Sequence, residues 1–153
     1  MADLSYDPNL FNQISTSGLL IATTTFVHGV FIAAAAAIFR ATRAHVQGIT
    51  RFLRDTFVLV LMSLIMMAAH AIEIWMWART LIYIDAFDGL EPALYFAAVS
   101  YTTLGFGDIL LETPWRLLSG AAAANGLLLF GLSAAFMVET SVKLRLGGEA
   151  KTS

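Results

Sequence analysis

The chain has no cysteine and few charged residues. The absence of cysteine from its 153 residues excludes disulfides and thiolate metal sites. Charged residues make up 13%, the net charge is −2, and no run of basic residues offers a surface to nucleic acid. What remains is 58% hydrophobic, with a mean hydropathy of +0.74, which is too apolar for a soluble domain of this length. We therefore expect the chain to lie in a lipid bilayer.

Three apolar stretches are long enough to cross a hydrocarbon core, which needs roughly 20 helical residues. They are residues 18–39, 56–79 and 115–140. A fourth apolar stretch, residues 92–103, is too short to span and indicates a re-entrant helix. The sequence thus predicts an all-α membrane protein with three transmembrane helices and a re-entrant helix between the second and third.

The arginines predict the orientation. Four of them, Arg40, Arg43, Arg51 and Arg54, fall in residues 40–55, whereas residues 1–17 carry no basic side chain. The positive-inside rule then makes residues 40–55 a cytoplasmic loop, residues 1–17 an extracellular tail and residues 141–153 a cytoplasmic tail. We expect a multi-pass protein of the cell (inner) membrane with its N-terminus outside, and an outer aromatic belt made of Trp75, Trp77, Tyr83 and Trp115.

The stretch SYTTLGFGDI, residues 100–109, follows the short helix. Non-helical backbone at membrane depth must be buried in protein or line a water-filled cavity. Gly105 and Gly107 allow positive φ, so that successive peptides can turn their carbonyl oxygens to one side. Together with the Thr103 hydroxyl, these oxygens would replace the hydration shell of an alkali cation. One strip cannot surround an ion, which requires a cyclic homo-oligomer.

The sequence Thr103-Leu104-Gly105-Phe106-Gly107-Asp108 resembles the T-V-G-Y-G-D selectivity filter of potassium channels. The similarity extends to flanking residues, which are Glu91-Pro92, Tyr95-Phe96 and Thr102-Thr103 before the filter and Trp115-Arg116, Gly126 and Gly131 after it. The chain therefore resembles the small bacterial potassium channels with a two-helix pore domain. It would have this pore domain at 56–140 and one extra helix in front.

This resemblance implies a homotetramer that conducts K⁺ passively and is not an enzyme. K⁺ would be bound at Thr103, Leu104, Gly105 and Phe106, within a filter that also includes Gly107, and no organic cofactor is implied. Tyr95, Thr102 and Asp108 would support the filter and its outer mouth. The resemblance also implies a pore helix at 92–103, a filter at 103–108 and monovalent cations as the transported species.

Three residues depart from the family pattern. Phe106 lacks the phenolic hydroxyl of the usual tyrosine, and Leu104 is not β-branched. Val99 offers no carboxyl group to Asp108, which leaves Tyr95, water or a neighbouring subunit as its partner. The alternative function is therefore a non-conducting or weakly selective cation-channel subunit.

Several polar or small residues in the spans are candidates for gating: His70, Glu73, Asn125, Gly126 and Gly131. His70 and Glu73 share a helical face. They can act in pH-dependent gating, form structural hydrogen bonds, or serve a small transporter or enzyme, although no further catalytic residues accompany them. Asn125 can line the cavity or bond between helices, and Gly126 and Gly131 can form a hinge or allow close packing.

Overall fold

The structure, a computed structural model, describes residues 8–42 and 49–149. Four helices follow one another: α1 (Pro8–Ala41), α2 (Ile49–Tyr83), α3 (Leu90–Tyr101) and α4 (Arg116–Glu149), with a 3₁₀ turn at Thr113–Trp115 before α4. The described residues contain no strand. The prediction of an all-helical fold is confirmed. The predicted roles of residues 1–7, Arg43 and residues 150–153 lie outside the described residues.

Three helices in the described part of the chain are long and apolar enough to cross a membrane: Leu10–Ala41, Thr50–Tyr83 and Thr113–Leu144. The 12 residues of α3 rise about 18 Å, which is less than a hydrocarbon core of about 30 Å. This arrangement of three spans and one short helix agrees with the sequence prediction.

Helix α1 begins at Pro8, not at Gly18. The polar residues before Gly18 lower the local hydropathy, but they do not interrupt the helix because their side chains find partners. The Gln13 side-chain oxygen accepts a hydrogen bond from the Leu117 N–H at 3.0 Å, and the Ser17 hydroxyl donates to the Gln13 carbonyl at 2.6 Å. Residues 8–17 are therefore part of the first helix instead of a tail.

Arg51 and Arg54 lie in the first turns of α2, not in a loop. Both pair with Asp55, through Arg51 Nε at 3.6 Å and Arg54 Nη2 at 2.5 Å. Arg51 Nη2 also donates to the Leu144 carbonyl near the end of α4 at 3.2 Å. Charge compensation within the first turns lets α2 begin before the apolar stretch does.

The other helix ends also differ from those predicted from the sequence. Helix α2 continues to Tyr83, α3 ends at Tyr101 before the two threonines, and α4 extends to Glu149 beyond the predicted end at residue 140. The extension of α4 carries an i,i+4 pair between Glu139 and Lys143 at 2.5 Å, the spacing that supports an exposed helix. The described part of the predicted cytoplasmic tail is therefore helical.

The short helix α3 packs between α2 and α4, and α1 packs against both of these long helices. One apolar cluster surrounds α3, with Trp77, Leu81, Phe96 and Leu118 among its members. A second cluster joins α1, α2 and α4 nearer the Arg51 end. Each long helix also leaves large apolar side chains exposed along its length, as lipid or a further copy of the chain requires.

The aromatic belt is partly wrong. Trp75 is 49% exposed, but Trp77 is only 1% exposed and lies in the core around α3. Two residues along a helix correspond to about 200°, so Trp75 and Trp77 face opposite directions. Trp77 is therefore a packing residue instead of an interfacial anchor.

Candidate functional site

Helix α3 ends in a segment whose backbone conformations alternate. Thr102 follows the last helical residue, and its hydroxyl donates back to the Ala98 carbonyl at 2.7 Å. Thr103, Gly105 and Gly107 then have φ of 61°, 56° and 76°, whereas Leu104 and Phe106 between them are absent from the positive-φ residues of the described chain. Alternation of this kind places successive N–H groups on one side of the chain and successive carbonyl oxygens on the other.

Hydrogen bonds show which side faces the helix. The N–H groups of Leu104 and Gly105 both donate to the Val99 carbonyl, at 3.0 and 3.3 Å, and the Thr103 N–H donates to the Ser100 carbonyl at 3.0 Å. The N–H side of the segment is therefore attached to the last turn of α3. Since Val99 lies within α3, this end of the helix positions the segment directly.

Thr103 is the unusual member of the segment. A β-branched residue with positive φ is a conformational outlier, because Cβ then crowds the backbone. Such backbone costs about 1–3 kcal/mol and persists where the surroundings enforce it, commonly at functional sites. Gly105 and Gly107 adopt the same region without that cost. The segment thus has glycine at two of its three left-handed positions and threonine at the first.

The apolar side chains of this segment are exposed in the single chain. Leu104 and Phe106 are 58% and 65% exposed. A cleft of about 460 Å³ lies beside them, lined by Ser100, Gly105, Gly107, Arg116 and their neighbours. Non-helical backbone at membrane depth has to be buried in protein or line a water-filled cavity, because lipid cannot satisfy its polar groups.

Asp108 closes the segment and bonds Tyr95 of α3. The Tyr95 hydroxyl donates to Asp108 Oδ2 at 2.6 Å. This hydrogen bond is the main cause that lowers the pKa of the Asp108 carboxyl, and it also raises the pKa of the Tyr95 phenol. Of the three partners considered from the sequence, Tyr95 is the one that the structure provides.

A family profile described as an ion channel matches residues 20–143, which include α2, α3, the whole segment and most of α1 and α4. The chain belongs to the ion channel family. Neither curated proteins nor solved structures give a match. The prediction of an ion-channel fold is confirmed by this family, and the channel is accordingly a multi-pass membrane protein.

Behind the segment, the channel contains a buried polar cluster, which we call the His–Glu cluster: His28, His70, Glu73, Tyr101 and Ser133, from all four helices. His28 Nδ1 lies 2.8 Å from Glu73 Oε1, and His70 Nδ1 lies 3.2 Å from Glu73 Oε2. The Tyr101 hydroxyl donates to Glu73 Oε2 and lies 3.1 Å from His70 Nδ1. Glu73 therefore accepts a hydrogen bond from the last residue of α3.

Ser133 completes the His–Glu cluster on its other side. Its Oγ lies 3.0 Å from His70 Nε2 and 3.2 Å from His28 Nε2. The His70 ring also stacks on Phe130, with ring centroids 4.1 Å apart. The sequence predicted His70 and Glu73 together but missed Ser133 and the contact with His28. The available signal was that His28 is the one histidine in the first span.

Asn125 bonds between helices. Its Nδ2 donates to the Thr24 hydroxyl of α1 at 2.7 Å, and the side chain is buried. In the described chain, its Oδ1 has no hydrogen-bond partner. Of the two roles considered from the sequence, the interhelical bond is the one that the structure contains.

Gly126 allows close packing. A Cβ at this position would lie 1.9 Å from the Tyr101 carbonyl oxygen, at the end of α3. A Cβ at Gly131 would meet nothing within 4 Å among the described residues. Gly126 is therefore required for the contact between α4 and α3, and Gly131 is not required for any contact within one chain.

Proposed function

We propose that four copies of the chain form a potassium-selective channel, with the carbonyl oxygens of Thr103, Leu104, Gly105 and Phe106 as the ion ligands. The observation that carries the proposal is the alternating backbone of the segment, whose N–H groups bond Val99 and Ser100. With the N–H side attached to α3, the carbonyl side is left to face a central axis. Aligned carbonyls replace the hydration shell of K⁺.

Two further features support a tetramer. One loop supplies oxygens from one side only, so several copies around an axis are needed to enclose an ion. The exposed Leu104 and Phe106 side chains and the neighbouring cleft then become interfaces between copies.

The C-terminal end of α3, which carries the negative end of the helix dipole, would favour a cation near the axis.

For the orientation, we propose that the basic end of the bundle is cytoplasmic. Arg51 at the start of α2 contacts Leu144 near the end of α4, so these two helix ends lie together with Lys143. The opposite end carries Asp88, Glu91 and Asp108, and its basic residues are Arg79 and Arg116. By the positive-inside rule, the basic end would lie inside and the α3 end outside, in the cell (inner) membrane.

The test is ion flux through purified protein in liposomes loaded with K⁺ or Na⁺. We expect K⁺ efflux and exclusion of Na⁺. Gly105→Ala should abolish selective flux, because alanine at a φ of 56° costs about 1–2 kcal/mol and distorts the carbonyl row. Gly120→Ala is the matched control, since its Cβ meets nothing within 4 Å in the described chain. Equal K⁺ and Na⁺ flux, or flux unaffected by Gly105→Ala, would contradict the proposal.

A non-conducting or weakly selective subunit is the second candidate. Phe106 favours it, because this residue has no hydroxyl with which to brace the filter from behind. Tetramers that assemble in detergent but give no K⁺ flux would support this function. In that case, restoring the hydroxyl with Phe106→Tyr should restore flux.

A further inference from the structure

Two histidines and a glutamate of the His–Glu cluster form a set of metal-binding side chains. His28, His70 and Glu73 are all buried, and each offers one ligand atom within 4.8 Å of the others. Imidazole nitrogen and carboxylate oxygen are ordinary ligands of Zn²⁺ and related transition metals. Because the chain has no cysteine, a site of this kind has to be built from nitrogen and oxygen.

The distances between these atoms fit a small ion. A tetrahedral Zn²⁺ with bonds of about 2.0–2.1 Å holds its ligand atoms about 3.3–3.4 Å apart. The two Nδ1 atoms lie 2.8 and 3.2 Å from the two Glu73 oxygens. The Tyr101 hydroxyl lies 3.1 Å from His70 Nδ1 and donates to Glu73 Oε2, so it would become a fourth ligand by releasing its proton and moving away from that oxygen. For the two histidine nitrogens, outward shifts of a few tenths of an ångström would accommodate the ion.

Ser133 provides the second observation. One hydroxyl faces the Nε2 atoms of both histidines, at 3.0 and 3.2 Å. If both Nδ1 atoms carry protons toward Glu73, both Nε2 atoms are acceptors and one hydroxyl proton satisfies only one of them. If both Nδ1 atoms bind a metal, both Nε2 atoms carry protons and donate to the two lone pairs of Ser133 Oγ. The metal-bound arrangement satisfies both contacts of Ser133 Oγ, and without a metal the same two contacts require a proton on one imidazole.

The buried negative charge of Glu73 is a further observation at this site. The Glu73 side chain is fully buried inside a membrane protein, where an uncompensated carboxylate is expensive. Among the described residues its ion-pair partners are His28 and His70, and neither a lysine nor an arginine pairs with it. Without a metal, a proton on one imidazole has to compensate this charge, whereas a divalent cation bound by Glu73, the two neutral imidazoles and a Tyr101 phenolate gives a neutral set.

We propose that His28, His70 and Glu73, with Tyr101 as the fourth ligand after its hydroxyl proton is released to solvent, bind one Zn²⁺ ion per chain. The ion would join α1, α2 and the end of α3, and Ser133 of α4 would orient both imidazoles. The role is structural, because the ligands are enclosed and none lines the proposed ion path. The inference does not depend on potassium selectivity.

The first experiment measures metal content. The chain, carrying no histidine tag, is produced with Zn²⁺ in the medium and purified in detergent with a chelator, and zinc is counted by mass spectrometry. We expect one zinc per chain, and with Co²⁺ in place of Zn²⁺ the strong visible absorption of a tetrahedral ion. Wild-type protein that retains neither metal would overturn the proposal, whether or not it conducts K⁺.

Variants locate the ion. His28→Ala, His70→Ala and Glu73→Gln should each lose the zinc. His45→Ala is the matched control, because His45 is the third histidine in the sequence and lies outside the described residues, and it should retain the metal. Where a ligand variant fails to assemble, Ser133→Ala keeps all four ligands and should lose zinc to a competing chelator roughly 10–100-fold more readily. Zinc retained equally by assembled ligand variants and wild type would refute this site.

Discussion

At the residue scale, Gly126 has the clearest single role in the fold. The inner helix α4 approaches the end of α3 so closely that even one methyl group would overlap the Tyr101 carbonyl. Tyr101 in turn precedes the segment that carries the proposed ligands. A change of one atom at Gly126 therefore displaces either α4 or the support of the filter.

The first prediction follows from this contact. Gly126→Ala should destabilise the folded channel by about 1–3 kcal/mol, as overpacking does, and should reduce flux. The measurement is the thermal unfolding of the detergent-solubilised protein, combined with the liposome assay. Gly131→Ala is the control and should change neither, because its Cβ has open space among the described residues. If Gly131→Ala were the more damaging variant, a hinge would explain the glycines better than close packing.

A second prediction concerns pH at the outer mouth. Because the Tyr95 hydrogen bond lowers the Asp108 pKa from 3.8, its stabilisation is present above this value and is lost only as pH falls through the lowered pKa. At the alkaline end, the raised pKa of Tyr95 keeps the bond intact beyond 10.0. We expect the hydrogen bond between Tyr95 and Asp108 to persist between pH 3.8 and pH 10.0.

The variant Tyr95→Phe should therefore raise the Asp108 pKa toward its usual value. The measurement is the titration of ¹³C-labelled aspartate carboxyls by NMR, with Asp108→Asn identifying the resonance. Tyr83→Phe is the matched control, since Tyr83 is 87% exposed and should leave the Asp108 titration unchanged. An Asp108 pKa that is the same with and without the Tyr95 hydroxyl would contradict the assigned cause.

At the scale of elements, α1 is an integral part of the bundle. It contacts α4 through the Thr24–Asn125 and Gln13–Leu117 hydrogen bonds, and α2 through His28 and Glu73. The sequence left open whether this helix packs around the pore or joins neighbouring subunits. Within one chain, it packs against its own pore domain.

The third prediction tests this attachment. Thr24→Val removes the acceptor of Asn125 Nδ2 and leaves a second buried atom of that amide without a partner, which should cost about 1–3 kcal/mol. Thermal unfolding in detergent measures the loss. The adjacent Thr23→Val is the control, because the Thr23 hydroxyl bonds only carbonyls of its own helix in the described structure. Equal losses in the two variants would argue against a specific bond between α1 and α4.

The helices themselves were largely predictable, because long apolar runs determine spans in a bilayer. Their ends were not, since helix ends depend on local partners such as Gln13 with Leu117 and Arg51 with Asp55. The two glycines of the segment after α3 were also evident in the sequence, and both have the positive φ that was expected of them. The His–Glu cluster was only half predicted, because His28 and Glu73 are 45 residues apart and no spacing rule links two separate helices.

At the scale of the whole molecule, the distribution of charge along the bundle carries the proposed orientation. The end with Arg40, Arg51, Arg54 and Lys143 has more of the described basic side chains than the opposite end, where Arg79 and Arg116 lie with Asp88, Glu91 and Asp108. This polarity is a property of the complete bundle, not of any one helix. The proposed orientation rests on it.

The fourth prediction uses the absence of cysteine, because a maleimide then labels only a cysteine that has been introduced. In intact cells, Asp88→Cys should react with a membrane-impermeant maleimide, whereas Lys143→Cys should react only after the membrane is permeabilised. Both positions are exposed within one chain. A difference in their labelling therefore reports the side of the membrane on which each lies, and not a difference in burial. The reverse pattern would invert the proposed orientation.

The hydrogen bond from Arg51 to the Leu144 carbonyl has a mechanical consequence. It joins the first turns of α2 to the last turns of α4 within one chain. If the proposed channel opens by separation of its α4 helices at this end, each α4 must either break this hydrogen bond or take α2 of its own chain with it. We expect the two helix ends to move together.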